Sequence, residues 1–121
     1  MIIIFISLLF TTSAIALINL TIFGPKQYDR LKGKPTIYTD TFKSCSAASE
    51  ATLKITNGGS KQTRIKSARI YVNGVKVASE NDFKSKIPSF EKTILVKDMN
   101  DLKVVLKSGR HGYFGVLATS L

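Results

Sequence analysis

The stretch S-A-R-I-Y-V-N-G-V-K-V-A-S-E-N-D-F, residues 67–83, decides the fold class. Ala68, Ile70 and Val72 alternate with Arg69 and Tyr71. Asn73-Gly74 then supplies the two positive-φ positions of a type I′ turn, and Val75 and Val77 resume the alternation. The spacing predicts a β-hairpin with one apolar and one basic face. A strand pair that is apolar on one side must lay that side against another layer, so the hairpin belongs to a packed antiparallel sheet. The turn sends Ile70 and Val77 inward. On the other face it sets Tyr71 directly opposite Lys76, with Arg69 two residues back.

Strand-like runs recur on both sides of the hairpin, and no helical period is sustained. Residues 17–23 form a first run with Ile18, Leu20 and Ile22 on its core face, ended by a turn at Gly24-Pro25. Residues 26–30 and a basic loop over 31–35 lead to an extended run at 36–42 and a Ser/Ala-rich loop at 44–50. Ala51, Leu53 and Ile55 oppose Thr52, Lys54 and Thr56 until Asn57-Gly58-Gly59-Ser60 stops the strand, and 61–66 is a polar, basic connection. Beyond the hairpin, residues 79–86 form a loop pinned by Phe83, and 90–96 a strand preceded by Pro88. A turn follows at Asp98-Met99-Asn100-Asp101. Leu102, Val104 and Leu106 then alternate with Lys103 and Lys107, and Ser108-Gly109-Arg110-His111-Gly112 returns the chain into a last run at 113–119. This predicts an all-β, antiparallel, Ig-like β-sandwich of about seven or eight strands in one domain, residues 17–121.

The region before that domain carries an export pattern. Residues 1–25 hold no charged side chain, residues 2–10 are an apolar run interrupted only by Ser7, and Ala14-Ile15-Ala16 is a small-x-small cleavage site. The expectation is a signal peptide over residues 1–16. Its n-region lacks Lys and Arg, so the alternative is an uncleaved membrane anchor over residues 2–24, long enough for the roughly 20 residues a bilayer requires. Against the anchor, Asn19 and Thr21 alternate with Ile18, Leu20 and Ile22 as in a strand. The resulting location is secreted, periplasmic or cell-surface, with membrane contact only if the segment stays uncleaved. Cys45 is the single cysteine, so no intramolecular disulfide and no cysteine zinc cluster can form. It reads as a small side chain near a strand end, or as an intermolecular disulfide partner.

Four segments together resemble a known kind of module. F-G-P-K-Q-Y at 23–28, P-T-I-Y-T-D-T-F at 35–42, the hairpin at 67–83 and D-L-K-V-V-L-K-S-G-R-H-G-Y-F at 101–114 look like an Ig-like β-sandwich module of exported bacterial surface proteins. In such modules I-x-L-N-G-x-x-V-x-x-x-x-D-F precedes an apolar strand and a closing L-x-V-x-L-x-S-x-P-G-G hairpin. Here that closing turn lacks the proline and carries Arg110-His111. The shared motifs are structural, and the resemblance implies a non-catalytic extracellular domain without transferring a site.

Catalytic and metal chemistry find little support in the residues. His111 is the single imidazole, in a turn beside Arg110, and no nucleophile elbow, zinc-binding helix motif or phosphate loop occurs. Asp40, Glu80, Asp82 and Glu91 are the carboxylates to weigh as a hydrolytic pair. Glu80-Asn81-Asp82 and Asp98-x-Asn100-Asp101 cluster oxygen donors but match no complete calcium loop, and Asp and Asn are ordinary turn formers. We expect no enzyme, no cofactor and no metal.

Charge is the remaining signal. Eighteen Lys and Arg against eight Asp and Glu give a net +10, all of it outside residues 1–16. Such a balance draws a small domain toward anionic partners, although lysines on solvent faces also serve to keep strand edges apart. Arg69, Tyr71 and Lys76 are the candidate ligand-binding residues, a tyrosine between cations suited to stack on a ring while the charges meet carboxylates or phosphates. The leading expectation is a non-catalytic secreted or surface-exposed interaction or structural module, partnered by an anionic surface polymer or another exported protein. The alternatives are a polyanion-binding module for acidic polysaccharide, lipopolysaccharide or nucleic acid without a specific nucleic-acid site, and a small secreted inhibitor or effector.

Overall fold

The computed structural model describes residues 20–31, 35–44, 49–84, 86–108 and 112–120. The expected signal peptide over 1–16 and its cleavage site, most of the alternative anchor over 2–24, Cys45 and the Arg110-His111 turn lie outside the described residues. Eight strands are present among the described residues: β1 (Leu20–Asp29), β2 (Thr36–Lys43), β3 (Glu50–Asn57), β4 (Ser67–Val72), β5 (Val75–Ala78), β6 (Ser89–Leu95), β7 (Met99–Ser108) and β8 (Tyr113–Ser120). Two single-turn 3₁₀ helices lie at Lys61–Thr63 and Glu80–Asp82. The strands form two four-stranded antiparallel sheets, β1-β8-β3-β6 and β2-β7-β4-β5, so the expected β-sandwich is what this chain builds.

The strand order has a simple origin. β4 pairs with β5, β3 with β6, β2 with β7 and β1 with β8, which is the pairing of one long hairpin with Asn73-Gly74 at its tip. Rolling that ribbon over itself adds the β8–β3 and β7–β4 pairings and gives the eight-stranded wrapping of a jelly roll. Immunoglobulin-type sandwiches share the two packed antiparallel sheets but not this order. At the tip, Asn73 has φ 52° and Gly74 φ 80°, as a type I′ turn requires, and Tyr71 pairs with Lys76 as its register predicts.

Alternation in the strands fills the space between the sheets. Leu53 and Ile55 of β3, Ala68 and Ile70 of β4, Leu102, Val104 and Leu106 of β7, and Phe114, Val116 and Ala118 of β8 are all buried. Phe83, in the loop after β5, is fully buried and stacks on Phe114 with ring centroids 5.0 Å apart. The polar-looking connection at 61–66 also contributes a core residue: Ile65 is fully buried, its backbone N–H donating to Asn57 Oδ1 at 2.7 Å and its carbonyl accepting from Asn57 Nδ2 at 2.9 Å.

Three local expectations are corrected. Gly24-Pro25 does not end the first strand; β1 runs through it, with register irregularities between Thr21 and Phe23 and between Phe23 and Lys26. The irregularities reset which side chains face in, so Leu20 is 44% exposed, Ile22 and Phe23 are half-buried, and Tyr28 is the fully buried residue of the strand. Gly24 permits the close approach to β8, because a Cβ there would stand 2.2 Å from the Val116 carbonyl oxygen. In β5 an irregularity opposite Ile70 and Tyr71 sends Ala78 rather than Val77 fully inward, leaving Val77 half-buried and Val75 63% exposed. Asp98-Met99-Asn100-Asp101 is not all turn: β7 already begins at Met99.

Asn100 is fully buried there and acts as a clamp. Its Oδ1 accepts from the Lys97 backbone N–H and from Asn73 Nδ2, both at 2.9 Å, and its Nδ2 donates to the carbonyls of Lys97 (2.8 Å) and Phe42 (3.3 Å). Asn73 completes the lock by exchanging hydrogen bonds with the Asp101 backbone, at 2.9 and 2.8 Å. The hairpin tip, the start of β7 and the end of β2 are thus held as one unit.

Gly74→Val should lower unfolding stability by about 1–2 kcal/mol, because a β-branched residue resists positive φ although a Cβ there meets nothing within 4 Å. Gly74→Asn should retain most of the parent stability, since asparagine tolerates that conformation. Chemical denaturation measures both, and equal losses would rule out a backbone origin. Asn100→Ala should cost about 1–3 kcal/mol in the same assay by leaving the Lys97 N–H and the Phe42 carbonyl without their partner. A variant as stable as the parent would show the clamp to be dispensable.

Candidate functional site

The outer face of the β2-β7-β4-β5 sheet collects the side chains singled out by sequence. Register places Thr39, Lys103, Tyr71 and Lys76 in one row across its four strands. A second row carries Ile37, Val105 and Arg69, and a third carries Thr41 beside Asp101, next to the Asn73-Gly74 tip. Between the threonines and the tyrosine the face is hollowed into a groove of about 820 Å³, lined by Thr39, Thr41, Tyr71, Gly74, Asp101 and Lys103. That size lies within the range of small-ligand clefts.

The candidate residues differ in how committed they already are. Tyr71 is half-buried, and the Lys103 ammonium lies 5.8 Å from its ring centroid. Lys76 is exposed opposite it. Arg69 donates through Nε to Glu80, which holds the guanidinium more firmly charged, with a further contribution from Tyr71. Lys107 also reaches Glu80, at 3.2 Å. The Glu80 carboxyl is drawn from its ordinary 4.5 down to about 2, first by its own backbone N–H and then by Arg69, with Lys107 adding to them. Arg69 is therefore partly neutralised at the rim, whereas Lys76 and Lys103 sit beside the ring. Lys103, Thr39 and Thr41 enter the site without having been singled out from sequence, and Asp101, weighed there only as a calcium ligand, joins them. The alternation of β7 and β2 marks them as outward-facing, but nothing local says that those strands flank β4.

Three of the acidic residues weighed for catalysis or calcium, Asp40, Glu80 and Asp82, have structural partners. Asp40 accepts from Lys26 Nζ at 2.9 and 2.8 Å and from the Tyr28 hydroxyl at 2.5 Å, tying β2 to β1 across the two sheets. Burial raises the Asp40 pKa, but the hydrogen bonds from Lys26 and Tyr28 and the lysine charge outweigh it and hold the carboxyl below its ordinary range. The Tyr28 phenol is pushed well up, by burial first and by Asp40 second. Asp82 accepts from the Ser79 backbone N–H at 3.0 Å and pairs with Lys92 at 3.0 Å, and it too is held low against its own desolvation. Glu91 lies exposed on β6. Asn100 spends its side chain on the clamp. Among the described residues, no group of three or more His, Cys, Asp or Glu is placed to hold a metal ion, and no helix is long and apolar enough to cross a membrane.

No family model, curated protein or solved structure matches this chain. The two packed antiparallel sheets, though not the strand order, are what this chain shares with an Ig-like module.

Three carboxyls, Asp40, Glu80 and Asp82, are held below their ordinary pKa values in the folded state. Their stabilising contribution is complete above the unfolded-state values and is lost as pH falls through the folded ones. The melting temperature should accordingly be level from neutral pH to about 5 and then fall from about 4.5 toward 2. Asp40→Asn should make that fall shallower while lowering the neutral-pH value. A melting temperature unchanged down to pH 2 would contradict the assignment.

Proposed function

We propose that this protein is a non-catalytic binding module, exported to the periplasm, cell surface or medium, which engages an anionic polymer through the outer face of the β2-β7-β4-β5 sheet. The observation that carries the reading is the row in which Tyr71 stands between Lys103 and Lys76 at the edge of an open groove. A ring and two ammonium groups in register recognise a chain that alternates planar or ring surfaces with negative charge. The net charge of +10 supports the same direction, since it raises the local concentration of any polyanion before contact. Export rests on the charge-free residues 1–16, with the apolar run over 2–10 and the Ala14-Ile15-Ala16 site, and on the resemblance of the sandwich segments to exported bacterial modules.

The test is retention of the protein on an immobilised sulfated polysaccharide as salt is raised. Lys76→Ala and Lys103→Ala should each weaken binding and reduce the slope of log affinity against log salt by somewhat under one unit. Arg69→Ala should act less strongly, because its charge is shared with Glu80. Lys54 is exposed on β3, in the opposite sheet, and Lys54→Ala should leave binding unchanged. Equal losses at Lys54 and Lys103 would mean diffuse attraction without a site. Absence of retention at ~150 mM salt would return the lysines to a role in solubility and edge protection.

A further inference from the structure

We infer that the anionic polymer is an acidic polysaccharide, with one sugar ring lying on Tyr71, its hydroxyls meeting Asp101, Thr39 and Thr41, and its carboxylates held by Lys76 and Lys103. The inference deepens the polyanion reading above and rests on it.

The groove combines chemistries that a nucleic acid and a glycan would use differently. Its lining pairs a lysine with an exposed aspartate and two exposed threonine hydroxyls. A phosphodiester has no proton to donate at neutral pH, so a nucleic-acid backbone drawn along the lysines would bring negative charge against Asp101. A sugar carries hydroxyls that donate to a carboxylate and both donate to and accept from threonine. Asp101 is held in place for this by its neighbours, because its backbone N–H and carbonyl are both bonded to Asn73.

The aromatic content of the face points the same way. Proteins that grip single strands without reading sequence lay successive bases on successive aromatic side chains. Among the described residues Tyr71 is the one aromatic side chain on the outer face of this sheet; β2 presents Ile37, Thr39 and Thr41 there, and β7 presents Asp101, Lys103 and Val105. One platform suits one ring of C–H face, with charged groups of adjoining residues reaching the lysines on either side. Lys103 and Lys76 both neighbour Tyr71 across strands, in position to receive carboxylates spaced along a polymer that crosses the strands.

Titration of the full-length protein at ~150 mM salt with four probes decides the matter: an oligogalacturonate, its methyl-esterified counterpart, an oligothymidylate and polyglutamate. Oligogalacturonate is expected to bind most tightly, and the methyl ester, which keeps the rings and removes the charge, to bind at least about tenfold more weakly. Tyr71→Ala should weaken oligogalacturonate about tenfold, the size of one lost stacking contact, and Tyr71→Phe should restore it. Asp101→Ala should lower the preference for oligogalacturonate over oligothymidylate, a ratio from which the general charge effect cancels. Tighter binding of oligothymidylate, or a preference that Asp101→Ala leaves alone, overturns the polysaccharide assignment and leaves the basic face as a polyanion site. Equal binding of all three polyanions with no effect of Tyr71→Ala overturns it in favour of diffuse attraction. Failure of every polyanion to bind removes both this inference and the reading beneath it.

Discussion

Every side chain buried between the two sheets must find apolar contact or a hydrogen bond, because water does not reach it there. Apolar alternation in β3, β4, β7 and β8 satisfies most of that demand, with Phe83 and Phe114 stacked at the centre. Polar groups survive in the interface where another group answers them. Asn57 answers both backbone groups of Ile65, Asn100 answers Lys97 and Phe42, and Asp40 is answered by Lys26 and the Tyr28 hydroxyl. Leaving any of these unpaired would cost more than the bond itself contributes, so each polar insertion also dictates where its neighbours stand.

That requirement reaches the outer surface. Asn100 is buried, yet its contact with Asn73 holds the hairpin tip against the start of β7, and the tip carries the register that sets Tyr71 opposite Lys76. The backbone of Asp101 is held by the same pair. The groove is thus built on three strands locked from beneath rather than on a loop. A ligand on the proposed face would therefore order few side chains and little backbone.

Charge is distributed by the same logic. Asp40, Glu80 and Asp82 are each paired with a cation and stabilise the fold at neutral pH. Lys76 and Lys103 remain exposed beside an aromatic ring, and Lys103 lines the open groove. A net charge as high as this chain carries acts over distance on any polyanion, and in the proposed binding mode short-range discrimination would fall to Tyr71, Asp101 and the threonines.

The one-dimensional pattern determined whatever depends on neighbours in sequence. Asn73-Gly74 specified its own turn and hence the pairing of Tyr71 with Lys76, because a two-residue loop leaves one register. Period-two alternation located the core residues of β3, β4 and β7 correctly, and the lone aromatic of the 79–86 loop marked Phe83 as its anchor in the core. It failed where an extra residue enters a ladder: in β1 around Gly24-Pro25 and in β5, irregular pairing resets the alternation, and the partner strand that provokes it lies nearly the whole chain away for β1. It also missed Ile65 in a polar loop and Asn100 in an apparent turn, since both are buried by segments remote in sequence. The candidate face divided the same way. Arg69, Tyr71 and Lys76 were legible within one hairpin, whereas Lys103, Asp101, Thr39 and Thr41 joined them when β7 and β2 packed beside β4, an adjacency set by rolling the whole ribbon so that its single apolar surface closes on itself.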